Sequence, residues 1–198
     1  MTTAREYLEH LKQEAIQAFE EHVLRASEER HWSIGRPGTG VYFAEVFAGA
    51  AHLYVGGDID TVAFGYYLDG GDPLAMLRWI GCTDDVGWYI KQKAGIGLSD
   101  SGRLTEGYDD EVARSELGML LREDLEDPDA PGAGKRIRML QEAMDYTHDE
   151  VELRGFLYEE TDDPELASDI GQVCSPRVVY AWAAVRRLCE LLELKPCP

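Results

Sequence analysis

Between residues 3 and about 30, Leu8, Leu11, Ala15, Phe19, Val23 and Ala26 recur at steps of three and four, which places them on one helical stripe. Thr3 followed by Glu6 adds a capping box, so the spacing predicts a helix over 3–30. The pattern changes at Trp32. From there to about residue 67, short β-prone runs at 32–34, 41–47, 48–51, 52–55 and 59–67 are separated by turn residues, GRPGTG and GGD among them. Connections this short join antiparallel strands but cannot hold a crossover helix. A meander of about four strands is predicted, with Tyr42, Leu53, Val55, Val62 and Phe64 on its buried face.

Beyond the sheet the pattern is helical. Asp72 and Pro73 open a helix as N-cap and first-turn proline, with Leu74, Leu77, Trp79 and Ile80 as its apolar contacts. A short helix is predicted over 84–93, carrying Trp88, Tyr89 and Ile90, then one over 106–125. EDPDAPGAGK breaks the pattern, which resumes over 136–146. Thr147 with Glu150 makes a second capping box ahead of a helix over 151–158. Ser175 and Pro176 begin a last helix in which Val178, Trp182, Val185, Leu188 and Leu192 share a face. The fold class is therefore α+β: an N-terminal helix, an antiparallel sheet, then a mostly helical C-terminal half. The length favours a single domain over 1–198. The Pro/Gly-rich stretch 127–134 is the linker candidate, and the alternative subdivision is 1–98, helix plus sheet, and 99–198, an acidic helical region.

Charge narrows the partners. The chain has 38 Asp and Glu against 19 Lys and Arg, a formal charge of −19. A protein this acidic is repelled by the phosphates of a duplex and by an anionic membrane unless a local basic patch intervenes, so neither direct nucleic-acid nor membrane binding is expected. The densest basic cluster, Lys135, Arg136 and Arg138, sits among acidic neighbours and is expected to pair with them. No run approaches the roughly 20 apolar residues of a membrane span. Charges within MTTAREYLEHLKQEAIQAF occupy the place of a signal peptide's apolar run, which leads us to expect a cytoplasmic protein. Cys82, Cys174, Cys189 and Cys197 form no C-x-x-C pair and are expected as buried thiols.

Motifs for chemistry are thin. GRPGTG lacks a phosphate-loop lysine, and GAGK lacks the preceding glycine at the required spacing and the Ser or Thr that would follow; both read as turns. Asp58 and Asp60 form a D-x-D pair beside His52, which could hold Mg²⁺ or Mn²⁺ if the three converge. The competing reading is a polar hairpin turn whose aspartate bonds its own backbone. Asp69, Asp72, Asp84 and Asp85 would be the next ligands to suspect. His148 and Asp149 are adjacent, but no other histidine in the C-terminal half completes a site. There is no G-x-S-x-G elbow.

The acidity is concentrated. Residues 100–165 hold 21 Asp and Glu against 7 Lys and Arg, a net of −14, so about three quarters of the excess lies in one third of the chain. The candidate partner-binding residues are Asp109, Asp110, Glu111, Glu116, Glu123, Asp124, Glu126, Asp127, Glu159, Glu160, Asp162 and Asp163. Carboxylates spaced along rigid helices can imitate a phosphate backbone and occupy the Lys/Arg channel of a nucleic-acid-binding protein. An ordinary solubilising surface is the competing reading.

The stretch RPGTGVYFAEVFAGAAHLYVGGDIDTVAFGYY, followed by MLRWIG and VGWYIKQKAGIG, resembles a pattern in uncharacterised proteins encoded by bacteriophages and prophages. The likeness covers residues 36–97, about a third of the chain, and centres on HLYVGGDIDTVAF. It implies a viral or mobile-element origin and carries no assigned activity. Small acidic phage proteins are often inhibitors of host defence, some of them DNA mimics that resemble anti-CRISPR proteins.

The leading expectation is a non-enzymatic inhibitor that needs no cofactor or metal. It would bind a host nucleic-acid-handling protein or defence complex, a CRISPR effector for example, through its acidic surface. The alternatives are a metal-dependent hydrolase or nuclease using Asp58, Asp60 and His52, and a structural or assembly protein that uses exposed aromatics such as Tyr66, Tyr67 and Trp88 to oligomerise; a homodimer is one such state.

Overall fold

The structure, a computed structural model, describes residues 3–39, 43–49, 51–58, 61–65, 72–95, 106–161 and 163–195. The chain divides into two compact units, one formed by Met1–Leu8 and Gly107–Val173 and the other by Glu9–Glu106 and Cys174–Pro198. The final helix thus belongs to the unit of the sheet.

Helix α1 spans Ala4–Phe19. Its capping box forms as the sequence predicts: the Glu6 backbone N–H donates to Thr3 Oγ1 at 3.2 Å, and the Thr3 N–H donates to Glu6 Oε2 at 2.9 Å. The helix ends well short of residue 30. Val23 and Ala26, which extend its stripe on paper, lie on strand β1, Val23–Ser27, because pairing with β2, His31–Gly35, supplies the ladder bonds that override a weak helical preference. With β3 (Phe43–Ala48), β4 (His52–Gly57) and β5 (Val62–Gly65), the sheet is an antiparallel meander in sequence order. It has five strands rather than about four.

The register sorts the side chains by face. Trp32, Val46, Val55 and Val62 stand opposite one another across β2 to β5, and Ala48, Leu53 and Phe64 form the next row. All seven are buried, including four of the five residues predicted for this face; Tyr42 lies outside the described residues. The alternate positions of the same strands carry exposed Glu45, Phe47 and Tyr54, the one-sided burial open to an antiparallel sheet.

Helix α2, Pro73–Gly81, is capped by Asp72, whose Oδ1 accepts from the Leu74 N–H at 3.0 Å. Its buried face is Met76, Leu77, Ile80 and Gly81, whereas Leu74 and Trp79 are exposed, so its apolar stripe is narrower than predicted. A π-helical turn, Val86–Ile90, leads into α3, Lys91–Gly95. The last helix, Pro176–Leu191, packs on α2 and reaches β1, β2, β4 and β5. Val178, Trp182, Val185 and Leu188 are buried as predicted, while Leu192 caps the helix and is partly exposed. Backbones approach closely at Gly81, where a Cβ would sit 2.7 Å from Cys189 Sγ and 2.9 Å from the Val185 carbonyl oxygen. Cys174 and Cys189 are buried, Cys82 is half-buried, and Cys197 lies outside the described residues.

In the helical unit a strand, β6 (Glu106–Tyr108), occupies what the sequence predicts as the start of a helix, and pairs with β7 (Gln172–Cys174). The helix itself, α4, spans Asp110–Glu126. It is followed by α5 (Ala133–Ala143), a 3₁₀ turn (Met144–Tyr146), α6 (Glu150–Glu160) and α7 (Pro164–Asp169). GAGK is not wholly a turn: Gly132 precedes α5 with a left-handed backbone, φ 88°, and Ala133–Lys135 are already helical. The cap of α6 is Asp149, accepting from the N–H groups of Val151 and Glu152, rather than Thr147. Thr147 is fully buried, with its hydroxyl donating to the Met144 carbonyl and accepting from Arg114. Ala113, Leu117, Met139, Leu140, Ala143, Leu153, Leu157 and Ala167 make this unit's own core.

Gly171, between α7 and β7, has φ 71°, and a Cβ there would lie 2.5 Å from Tyr108 Cε2 and 2.7 Å from Ala113 Cβ. The tyrosine cannot easily yield, since its hydroxyl donates to the Thr147 carbonyl at 2.7 Å. Gly171→Ala should therefore destabilise the helical unit by about 2 kcal/mol or more, read as a lower thermal midpoint by circular dichroism. An unchanged midpoint would mean that this turn is not held as described.

Candidate functional site: the acidic helical surface

The carboxylates singled out from sequence divide by what they touch. Asp109 is the N-cap of α4: its Oδ1 accepts from the Val112 N–H at 2.9 Å. Asp163 caps α7, accepting from the N–H groups of Glu165 and Leu166. Asp124 pairs with Arg136 at 2.8 Å and its side chain is only 11% exposed. That pair is part of the basic cluster's expected pairing. These three have structural tasks that any acidic helical protein would assign to them.

Glu116 is different again. It is half-buried, and its Oε2 accepts from the Gly171 N–H at 2.9 Å. Burial pushes its carboxyl above the ordinary range; the Gly171 hydrogen bond opposes this and the charge of Asp169 adds to it. A folded-state value above the unfolded one means that its contribution to stability is fully present below about pH 4.5 and is lost as pH rises through the folded value. Glu116→Gln keeps an acceptor for Gly171 but cannot ionise. Relative to the parent, its stability in denaturant titrations should improve from pH 4 to pH 7; a difference that stays flat would contradict the assignment. Nearby Tyr108 is pushed up to about 12, chiefly by burial, with Asp110 and Glu150 adding repulsion.

The remaining described candidates, Asp110, Glu111, Glu123, Glu126, Asp127, Glu159 and Glu160, are exposed. Asp110 and Glu111 occupy the first turn of α4, where the helix dipole favours negative charge. The others sit at the wrong end for stability. Glu123 and Glu126 lie near the C-terminus of α4, Asp127 is its C-cap, and Glu159 and Glu160 close α6, with no basic residue in the last turn of either helix. Each such charge opposes the dipole by a few tenths of a kcal/mol when exposed. Asp162 lies outside the described residues.

Of the D-x-D pair, only Asp58 lies within the described residues. Asp58 follows β4 and is tied to the neighbouring strand, its Oδ2 accepting from the Phe43 N–H at 3.0 Å and its N–H donating to the Phe43 carbonyl at 3.2 Å. His52 lies opposite Gly65, its ring 5.8 Å from that of Tyr54, and Asp60 lies outside the described residues. Of the further suspects, Asp72 is a helix cap, Asp84 pairs with Arg186 at 2.6 Å, and Asp69 lies outside the described residues. His148 Nε2 is 3.8 Å from Glu152, one turn along α6, while Asp149 caps that helix. Among the described residues no three His, Cys, Asp or Glu side chains are grouped to hold a metal ion. Tyr66 and Tyr67 lie outside the described residues, and Trp88 belongs to the π-helical turn.

No known protein family matches the chain, nor does any curated protein or solved structure. Among the described residues, no helix is long and apolar enough to cross a membrane.

Proposed function

We propose that the helical unit is a non-catalytic binding module that engages the Lys- and Arg-lined surface of a nucleic-acid-handling protein in the cytoplasm, where it competes with phosphate backbone. In its specific form the proposal is an inhibitor of phage origin directed at a host defence complex such as a CRISPR effector. The observation that carries the reading is the placement of charge. Glu123, Glu126, Asp127, Glu159 and Glu160 stand exposed at helix C-termini, where their charge opposes the helix dipole. Local rules of this kind tend to be broken where a surface serves something other than folding.

Contacts made by exposed charge pairs are screened by salt. Affinity for the partner should therefore fall at least about tenfold between low and moderately high ionic strength, measured by surface plasmon resonance, with most of the loss in the association rate. Salt-independent binding would argue for an apolar interface and against this reading.

A further inference from the structure

We propose that the groove between α4 and α7 receives a long cationic side chain, lysine or arginine, together with an adjacent apolar residue from a basic segment of the partner. This rests on the reading above and specifies the partner chemistry at one place on that surface.

The groove is open to solvent and has a volume of about 340 Å³, at the small end of the range for ligand sites. Five carboxylates line it, Glu116 and Glu123 from α4 and Asp163, Glu165 and Asp169 from or beside α7. Its apolar lining is Met119, Leu120, Leu166 and Ile170. No lining residue is basic, and among the described residues none of the five carboxylates is in a salt bridge. Charge of one sign therefore gathers beside an apolar strip with no basic side chain to neutralise it, although Asp163, Glu116 and Asp169 accept local hydrogen bonds, and Glu116 already feels the repulsion of Asp169.

An occupant that relieves both features must carry positive charge at the end of an apolar stem. Lysine and arginine do this, laying methylenes on apolar surface while the head group stays among carboxylates. A bare cation would leave the apolar lining uncovered. A neighbouring apolar residue on the same segment would cover Met119, which is 43% exposed and is the kind of flexible side chain that adapts to a partner. The complementary partner is thus a basic segment with interspersed apolar residues.

The test uses two fluorescently labelled peptides of equal length and charge, one alternating Lys with Leu and the other Lys with Gly. Anisotropy at low salt should show the Lys/Leu peptide binding about tenfold more tightly, roughly the effect of burying one apolar side chain. Met119→Ser should erase that preference, while Glu123→Gln combined with Glu165→Gln should weaken both. The Met119 methyl resonance should move as the Lys/Leu peptide is added. Equal binding of the two peptides, or a preference that survives Met119→Ser with the methyl signal unmoved, overturns the inference. If both peptides bind equally and both are lost on reversing the charges of Asp110, Glu111, Glu123 and Glu126, the groove is wrong but the acidic-surface reading stands. If neither peptide binds, both fall.

Discussion

Truncation of Trp182 to alanine should destabilise the sheet-containing unit by about 3–5 kcal/mol, the cost of removing a large side chain from a packed core. Trp182 is fully buried on the last helix, and its Nε1–H donates to the Thr83 carbonyl at 3.0 Å. Lys12 and Arg186 place their charges 5.9 and 5.3 Å from the ring centre, so truncation removes two cation–π contacts along with the packing. Trp182→Phe should cost less, because it preserves most of the volume while leaving the Thr83 carbonyl without its donor. Denaturant unfolding followed by far-ultraviolet circular dichroism would read both. A loss below about 1 kcal/mol for the alanine variant would mean that this helix is not seated as described.

The second large effect is expected on binding rather than on stability. Replacing Asp110, Glu111, Glu123 and Glu126 together by lysine should lower partner affinity by about a hundredfold or more, since like charges then face each other at several positions and each such encounter is costly. Asp109 and Asp124 are left out of this set deliberately. Asp109 caps α4 and Asp124 pairs with Arg136, so reversing either would disturb the fold and confound the result. The reversed variant should remain folded, because all four substituted residues are exposed and the gain at Glu123 and Glu126, which oppose the dipole of α4, offsets the loss at Asp110 and Glu111, which complement it. Unchanged thermal melting with lost binding separates surface chemistry from misfolding.

Much of this architecture is legible in the chain, for identifiable reasons. The α+β class and element order follow from the change of period at Trp32, and the buried rows through Val55, Val62, Leu53 and Phe64 follow from strand alternation. Strand β1 is hidden because Val23 and Ala26 happen to continue the helical steps of α1; only pairing with β2 reveals it. Strands β6 and β7 are three residues each, too short for periodicity to register. Asp109 is a legible cap that the expected start at residue 106 passes over, and the same holds for Asp149 against Thr147.

The acidity of the candidate surface is plain from composition, but the tasks of its members are not. Sequence cannot separate Asp163, which closes a backbone turn, from Glu159 and Glu160, which do not. The groove was invisible for a related reason: Met119 and Leu166 come from helices far apart in the chain, and only the fold brings their faces together.

The measurement that bears most directly on the central claim is competition with DNA. The protein is immobilised, a cell lysate is passed over it at low salt, and the captured proteins are challenged with duplex DNA of random sequence. The account predicts that nucleic-acid-binding proteins are retained, that duplex DNA releases them in a dose-dependent manner, and that the four-residue charge reversal retains none of them. Retention that is indifferent to DNA and to the charge reversal would contradict it.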